Sequence, residues 1–395
     1  MSRRVSRRAT ATAAAAAAVT VVGGGAAAVG VFGADGAVPT TGALTVRSGA
    51  ARPQHPFVRG NGLYADGHRQ ELGGSVSGAL MGPLSPVAVN APSGGFVVYN
   101  TWRELRAVDS DKSFSKQGIA DGDALGLPSL RVHDDKGRDS VLARGAYSVA
   151  VRPDGAIAYV QGVDPSFRAG RVYQGHVVVR RGVGGRPVEW TSEPARYVVY
   201  GWAGNRVLFY RMGAGERLEI LVADAPGNTR PLADGSIVAL NPGGDRVMVL
   251  SPDATSVRVL DVATGREQAW LDVTTAATPL RWLGYSGSWV GDHVVTPSSS
   301  GMVVLHVTAE SIELEQALSL DAQQFPVGVQ EPRFADSDAD EILAAADVPP
   351  DTAREGTAYF LDCDRVSRTC ERGDGAPAKD WPRFIDNPSR PEGGR

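Results

Sequence analysis

The feature that most constrains this chain is a short hairpin that recurs along it. Residues 147–160, YSVAVRPDGAIAYV, hold two runs of alternating apolar residues joined by Pro153-Asp154-Gly155. Val149 and Val151 share one face of the first run, and Ile157 and Tyr159 are offset the same way in the second. Proline presets φ at the first corner of a turn, aspartate bonds its own backbone, and glycine accepts the positive φ that closes it. The pattern predicts a β-hairpin.

The same unit returns at Ser93-Gly94-Gly95, Ala203-Gly204-Asn205, Gly243-Gly244-Asp245, Gly291-Asp292 and Asp338-Ala339-Asp340, each turn followed by an apolar run (FVVY, RVLFY, RVMVL, HVVT, EILAA). The turn-to-turn spacing of about 40–60 residues fits propeller-type repeats. Each unit also carries a second strand pair. Examples are residues 257–262 (VRVLDV), which lead through Ala263-Thr264-Gly265 into 268–273, and residues 218–223 (LEILVA), which lead into Pro226-Gly227-Asn228. Four strands joined by tight turns make a blade, and only a ring of blades buries both faces of each. Six repeats lie between Val87 and Gly373. The remaining strands at 43–72 and the run from Trp381 to Ile385 complete a seventh, closed by both chain ends so that no edge is left open. The expectation is an all-β fold, a single β-propeller over residues 43–386. Seven blades are favoured, with six as the alternative, after a spacer at 35–42 and before a tail at 387–395.

At this point a family resemblance becomes specific. The pieces Arg152-Pro153-Asp154-Gly155 and Val259-Leu260-Asp261-Val262-Ala263-Thr264-Gly265 resemble the repeat of TolB-type and WD-repeat-like propellers of exported bacterial proteins. Trp202 and Trp282 stand at the aromatic position often seen before the turn there. The resemblance covers most of 87–373. It implies a partner-binding scaffold with no chemistry of its own and no cofactor.

The first 34 residues read as an export segment. Arg3, Arg4, Arg7 and Arg8 precede an uncharged run from Ala9 to Ala34. A basic start before an apolar stretch is a secretory signal, and Ala26-Ala27-Ala28 offers a cleavage site that would leave Val29 first. The run is also long enough for an uncleaved anchor, but it has no Leu or Ile, and Ala and Gly gain little from lipid. Membrane contact is expected only through this segment. Ser6 and Thr10 stand where a twin-arginine signal uses large apolar residues. Both readings place the domain outside the cytoplasm. The net charge of −4 and the pI of 5.9 argue against nucleic-acid binding. Nothing in the sequence requires more than a monomer.

Cys363 and Cys370, the only cysteines, fall on opposite arms of a predicted hairpin (YFLDCDRVSRTCERG). An exported compartment makes a disulfide the expected outcome, and closing so short a ring contributes about 2.5 kcal/mol. No further ligands lie near enough for a metal. Asp336, Asp338, Asp340 and Asp347 have some of the spacing of a calcium loop. However, Glu341 sits where that loop needs glycine, so the stretch reads as an acidic blade turn. Hydrolase and phosphate-binding motifs are absent: Gly284-Tyr285-Ser286-Gly287-Ser288 is no nucleophile elbow, and the six histidines show no paired spacing. Arg372-Gly373-Asp374 reads as a turn. Trp190, Trp202, Trp270, Trp282 and Trp289 are expected to pack between blades.

Two long segments interrupt the repeat, residues 100–128 in the first blade and 161–176 in the second. Both should join second and third strands and so rise from the same rim. Loops of that length in a compact domain are functional or solvated. The second carries Asp164, Phe167, Arg168, Arg171 and Tyr173, a composition suited to a polar interface with aromatic and arginine anchors. The predicted recognition residues are Trp102, Asp164, Arg168, Arg171 and Tyr173, with a protein or cell-envelope component as partner. The rival reading is a hydrolase or lyase using carboxylates at the channel mouth; converging carboxylates with raised pKa values would favour it.

Overall fold

The structure is a computed structural model that describes residues 40–48, 57–59, 61–65, 68–73, 87–91, 94–101, 129–163, 174–213, 217–274, 287–298, 300–322, 324–325, 329–335, 338–348, 357–373, 376–377 and 383–384. Residues 1–34, where the sequence predicts an export segment, lie outside them. The described strands form seven sheets, and the chain is a seven-bladed β-propeller. Strands are lettered a to d in sheet order. Blade 1 holds Val87–Ala91, Gly94–Thr101, Ser129–Asp134 and Asp139–Arg144. Blade 2 holds Ala146–Val151, Ile157–Gly162, Gly175–Arg180 and Val188–Glu189. Blade 3 holds Tyr197–Ala203, Arg206–Met212, Leu218–Ala225 and Asn228–Asp234. Blade 4 holds Ser236–Leu240, Arg246–Leu250, Ser256–Asp261 and Glu267–Asp272. Blade 5 holds Ser288–Val290, His293–Ser298, Gly301–Val307 and Ile312–Ser319. Blade 6 holds Val329–Phe334, Glu341–Val348, Thr357–Asp364 and Thr369–Arg372. In blade 7, strand a is Arg383–Phe384 from the C-terminal end, and strands b to d are Phe57–Arg59, Gly62–Ala65 and His68–Glu71.

The six turns picked out in the sequence all join strands a and b of blades 1 to 6. In two of them the geometry calls for glycine. Gly155 sits at φ +89° and Gly244 at +69°. A Cβ on Gly244 would come within 2.5 Å of the Gly204 nitrogen in the neighbouring blade's turn, so the two turns can nest only without a side chain.

Alternation along each strand sends successive side chains to opposite neighbours. Among the described residues, the buried apolar side chains accordingly fall into seven clusters, one at each joint between blades. Val149, Val151, Ile157 and Tyr159 pack on Phe96, Val98, Leu130 and Val132 of blade 1, the shared face expected of the hairpin. Ala150, Ala158 and Val160 point the other way, onto Val199 and Phe209 of blade 3. Strand a departs from strict alternation in blades 2, 3 and 4, where one extra residue is inserted near Ser148, Tyr200 and Val238. Such a bulge re-aims one residue. Ser148, buried at φ +53°, donates its hydroxyl to the Val199 carbonyl of the next blade at 2.8 Å, and the Gly287 amide donates to the Val238 carbonyl at 2.7 Å.

The N-terminal strands depart from expectation. Residues 44–46 do not join the seventh blade. Thr40–Ala43 pairs in parallel with strand d of blade 5, and Thr45–Ser48 pairs in parallel with strand d of blade 6. Leu44, between them, is buried in the cluster that joins those blades. The segment is a strap across two outer edges. It satisfies two rows of backbone groups that would otherwise stay open.

The disulfide Cys363–Cys370 forms between directly opposed residues of strands c and d in blade 6, and both are buried in the blade 5–6 cluster. It reinforces one blade from within. Asp338 to Asp340 is the a–b turn, and Arg365 answers it: Nε donates to the Ala339 carbonyl at 2.6 Å and lies 3.5 Å from Asp340. The guanidinium supplies the positive charge that the acidic turn calls for. Arg372 lies over Tyr359 at 4.7 Å and donates to Ser48, so the first residue of the tripeptide is engaged in packing.

The tryptophans divide. Trp190 and Trp202 meet edge-on at 6.0 Å, Arg152 lies 4.9 Å over Trp202, and Arg246 lies 5.1 Å over the buried Trp289. These three pack at blade joints. Trp270 does not: it is 59% exposed on strand d of blade 4. Its neighbours Ala269 and Leu271 turn inward to blade 5, so alternation sends Trp270 to the opposite face, where no cluster covers it. Trp282 lies outside the described residues.

Candidate functional site

The predicted recognition residues Trp102, Asp164, Arg168, Arg171 and Tyr173 all lie outside the described residues. The stems that carry them are described, and they fix where the insertions leave the ring. In blade 1 the b–c ladder runs in register to Thr101 opposite Ser129. In blade 2 it runs to Gly162 opposite Gly175 and is extended by the Val163 amide, which donates to the Gln174 carbonyl at 3.1 Å. Gly175 also exchanges two backbone hydrogen bonds with Ala195, at 2.9 and 3.0 Å, which ties the return strand to the linker entering blade 3. His176 and Thr191 add a further lock: Nδ1 lies 3.0 Å from the Thr191 carbonyl, and Thr191 Oγ1 accepts from the Val177 amide at 3.1 Å. Both insertions therefore join strands b and c, as expected. Because strands alternate in direction, b–c connections of all blades emerge on one face of the ring, and blades 1 and 2 share a packed joint. The two stems are neighbours on one rim.

Two polar networks that sequence reasoning missed lie at joints of the ring. At the joint of blades 7 and 1, Asp139 accepts from the Tyr99 hydroxyl, lies 2.9 Å from His133 Nδ1, and accepts from the Gly73 amide at 3.0 Å. His133 Nε2 reaches Gln70 of blade 7 at 2.9 Å. Burial opposes ionisation of Asp139, but its hydrogen bonds from Tyr99, His133 and Gly73 outweigh that and hold its carboxyl below the usual range. Burial, and then the adjoining carboxylate, push the Tyr99 hydroxyl far up. At the joint of blades 5 and 6, Glu315 takes Arg365 at 2.7 Å and His293 at 2.8 Å. Burial again opposes ionisation, and Arg365 outweighs it, so the Glu315 carboxyl is held low. The available signal was weak. Tyr99, His133 and Asp139 share one face by strand register, yet nothing local says that Gln70 stands across the joint.

Carboxylates also converge on the outer flank of blade 6, where Asp340, Glu341, Asp362, Asp364 and Glu371 line a groove of about 390 Å³. Its described lining residues come from the a–b turn and from strands b, c and d. Every described carboxylate with a resolved shift is held low, by turn or network hydrogen bonds: Asp134, Asp139, Asp154, Asp253, Asp261 and Glu315. Groups so held are stable acceptors rather than poised general acids.

No protein-family model matches the sequence, and no curated protein sequence matches it. Solved structures do resemble the chain in fold. A functionally unknown protein from Desulfotomaculum acetoxidans is similar over 85% of this chain and 99% of its own, at 10% identity and a TM-score of 0.47. A putative TolB from Agrobacterium tumefaciens is similar over 63% of this chain and 94% of its own, at 13% identity and a TM-score of 0.38. An acylaminoacyl peptidase from Pyrococcus horikoshii is similar over 78% of this chain and 47% of its own, at 10% identity and a TM-score of 0.43. The neighbours thus include the propeller type that the sequence motifs resembled.

Proposed function

We propose that this chain is an exported, non-enzymatic propeller that binds a protein or cell-envelope component through one rim. The observation that carries this reading is the placement of the two insertion stems, side by side on the b–c face of blades 1 and 2. Ordering a backbone residue costs about 1–2 kcal/mol, so long insertions on neighbouring blades return their cost only when something engages them. Trp102, Asp164, Arg168, Arg171 and Tyr173 are the proposed anchors, and aromatic and arginine side chains suit that role. The buried disulfide is in keeping with an oxidising compartment.

The test replaces 163–174 with a Gly-Ser turn. The melting transition should stay within about 0.5 kcal/mol of wild type, because only the two end residues of the segment, Val163 and Gln174, share a ladder bond, and it is a backbone bond that the Gly-Ser turn can keep. Proximity cross-linking on the producing cell should lose its captured partner. Capture of that partner with unaltered affinity would remove this loop as the recognition surface.

A further inference from the structure

A second site lies on the outer flank between blades 3 and 4, away from the rim insertions. A groove of about 580 Å³ runs there along strand d of blade 3 and strand c of blade 4. That volume falls in the usual range for small-ligand sites, about 300–1,000 Å³. Its polar lining comes chiefly from Asp234, Asp253, Thr255, Ser256, Arg258 and Glu267.

Arg258 is the central group. Its Nε is buried without a hydrogen-bond partner. One terminal nitrogen lies 3.4 Å from the Asp234 carbonyl and another 3.9 Å from the Glu267 carboxylate, both beyond a good hydrogen bond. A guanidinium has five N–H donors, so this one has donor capacity left to offer. Trp270 is the direct cross-strand partner of Arg258. Opposed residues project from the same face of a sheet, so the exposed indole leaves strand d on the side of the sheet from which Arg258 leaves strand c.

The carboxylates of the groove outnumber its guanidinium groups, but each is engaged. Asp234 is paired with Arg217, Glu267 lies beside Arg258, and Asp253 is capped by the Ser251 and Thr255 hydroxyls. A strongly anionic ligand meets three carboxylates, and a strongly cationic one meets Arg258. What fits is a neutral ligand rich in hydroxyls, with one flat apolar face for the indole. From this geometry we infer that the blade 3–4 flank is a binding site for a neutral saccharide. The pyranose C–H face stacks on Trp270, Arg258 donates to ring or hydroxyl oxygens, and the carboxylates of Asp253 and Glu267 accept from hydroxyls. The inference is independent of the rim.

The test uses the full chain labelled with 5-fluorotryptophan, with the Trp270 resonance assigned by Trp270→Phe. Fluorine NMR follows titration with maltotetraose, cellotetraose and chitotetraose, each to about 10 mM, the weak end of specific affinity. A separate arm uses an Arg-rich octapeptide. At least one oligosaccharide should shift the Trp270 resonance saturably. Arg258→Met should weaken that binding by about tenfold or more, as for loss of an anchor residue, and Trp270→Ala should do the same in calorimetry at an unchanged melting temperature. Three results would overturn the inference: no shift with any of the sugars, a shift that survives Arg258→Met, or a Trp270 response to the peptide in place of the sugars.

Discussion

Blade 3 and blade 7 are the same four-stranded unit built in two ways. Blade 3 comes from one unbroken stretch of sequence, with strands of 7, 7, 8 and 7 residues. Blade 7 takes strands of 3, 4 and 4 residues from near the start of the chain and one of 2 residues from near its end. Among the described residues, Phe209, Leu221 and Val199 bury one face of blade 3 while Leu208, Ile220 and Tyr210 bury the other. Blade 7 offers Val58 and Leu63 to blade 1, and Phe57 packs against Phe360 of blade 6. Burial scales with strand length, so the closing blade has less hydrophobic stabilisation to draw on. It makes up the difference with polar and aromatic contacts: the Asp139–His133–Gln70 network on one side, and on the other Phe57, stacked on Tyr64 at 4.6 Å and edge-on to Phe360 at 4.5 Å. The strap at 40–48 lies on blades 5 and 6, shortly before the chain enters blade 7.

The largest expected effect comes from breaking the closure itself. Deleting 383–395 removes the strand that pairs with Phe57 and Val58 and opens an edge in the ring. Stability should fall by about 4 kcal/mol or more, the range reserved for loss of a structural joint. Urea unfolding followed by circular dichroism reads this directly, and an unchanged midpoint would show that the two-residue strand closes nothing.

Next come single residues on either side of the comparison. Phe209→Ala should cost about 3–5 kcal/mol, because the ring is fully buried and packs edge-on to Tyr197. Phe57→Ala should cost about 2–3 kcal/mol, since Phe57 is only half-buried. Equal losses in chemical denaturation would mean that the short blade is as tightly packed as the long one.

The smallest of the three tests the polar compensation. Asp139→Asn should cost about 2 kcal/mol at neutral pH, because it weakens three hydrogen bonds to a mostly buried carboxylate. The fold lowers the pKa of this group, so its contribution is present above the unfolded value of about 4 and fades as pH falls through the lower folded value. The gap between wild type and variant should therefore narrow below about pH 4. A gap that stays constant down to pH 2 would show that the ionised carboxylate is not the anchor.

Much of this molecule was legible in its residues because the relevant signals are local. A turn needs φ-permissive residues within four positions, and a strand needs alternation over five or six. Hence the six a–b turns, the hairpin face shared by Val149, Val151, Ile157 and Tyr159, the b–c location of both insertions and the pairing of Cys363 with Cys370 could all be read in advance. The strand a bulges could not. One inserted residue at Ser148 shifts the phase of alternation, and the pattern on either side still looks regular. The recognition residues on the rim were proposed from composition alone, and only their stems are placed by the structure.

Local chemistry was thus enough to determine the repeat, its turns and a ring closed by both chain ends. The assembled ring decided the partners across each joint. It set the strap beside blades 5 and 6, put Gln70 against His133, and left Trp270 exposed on strand d of blade 4. The physical reason is that periodicity says which face of a strand is apolar, whereas what that face meets depends on which blade stands next to it. Leu44 and Leu318 are buried in the same cluster although they stand far apart along the chain, and no turn or run near either residue records that proximity.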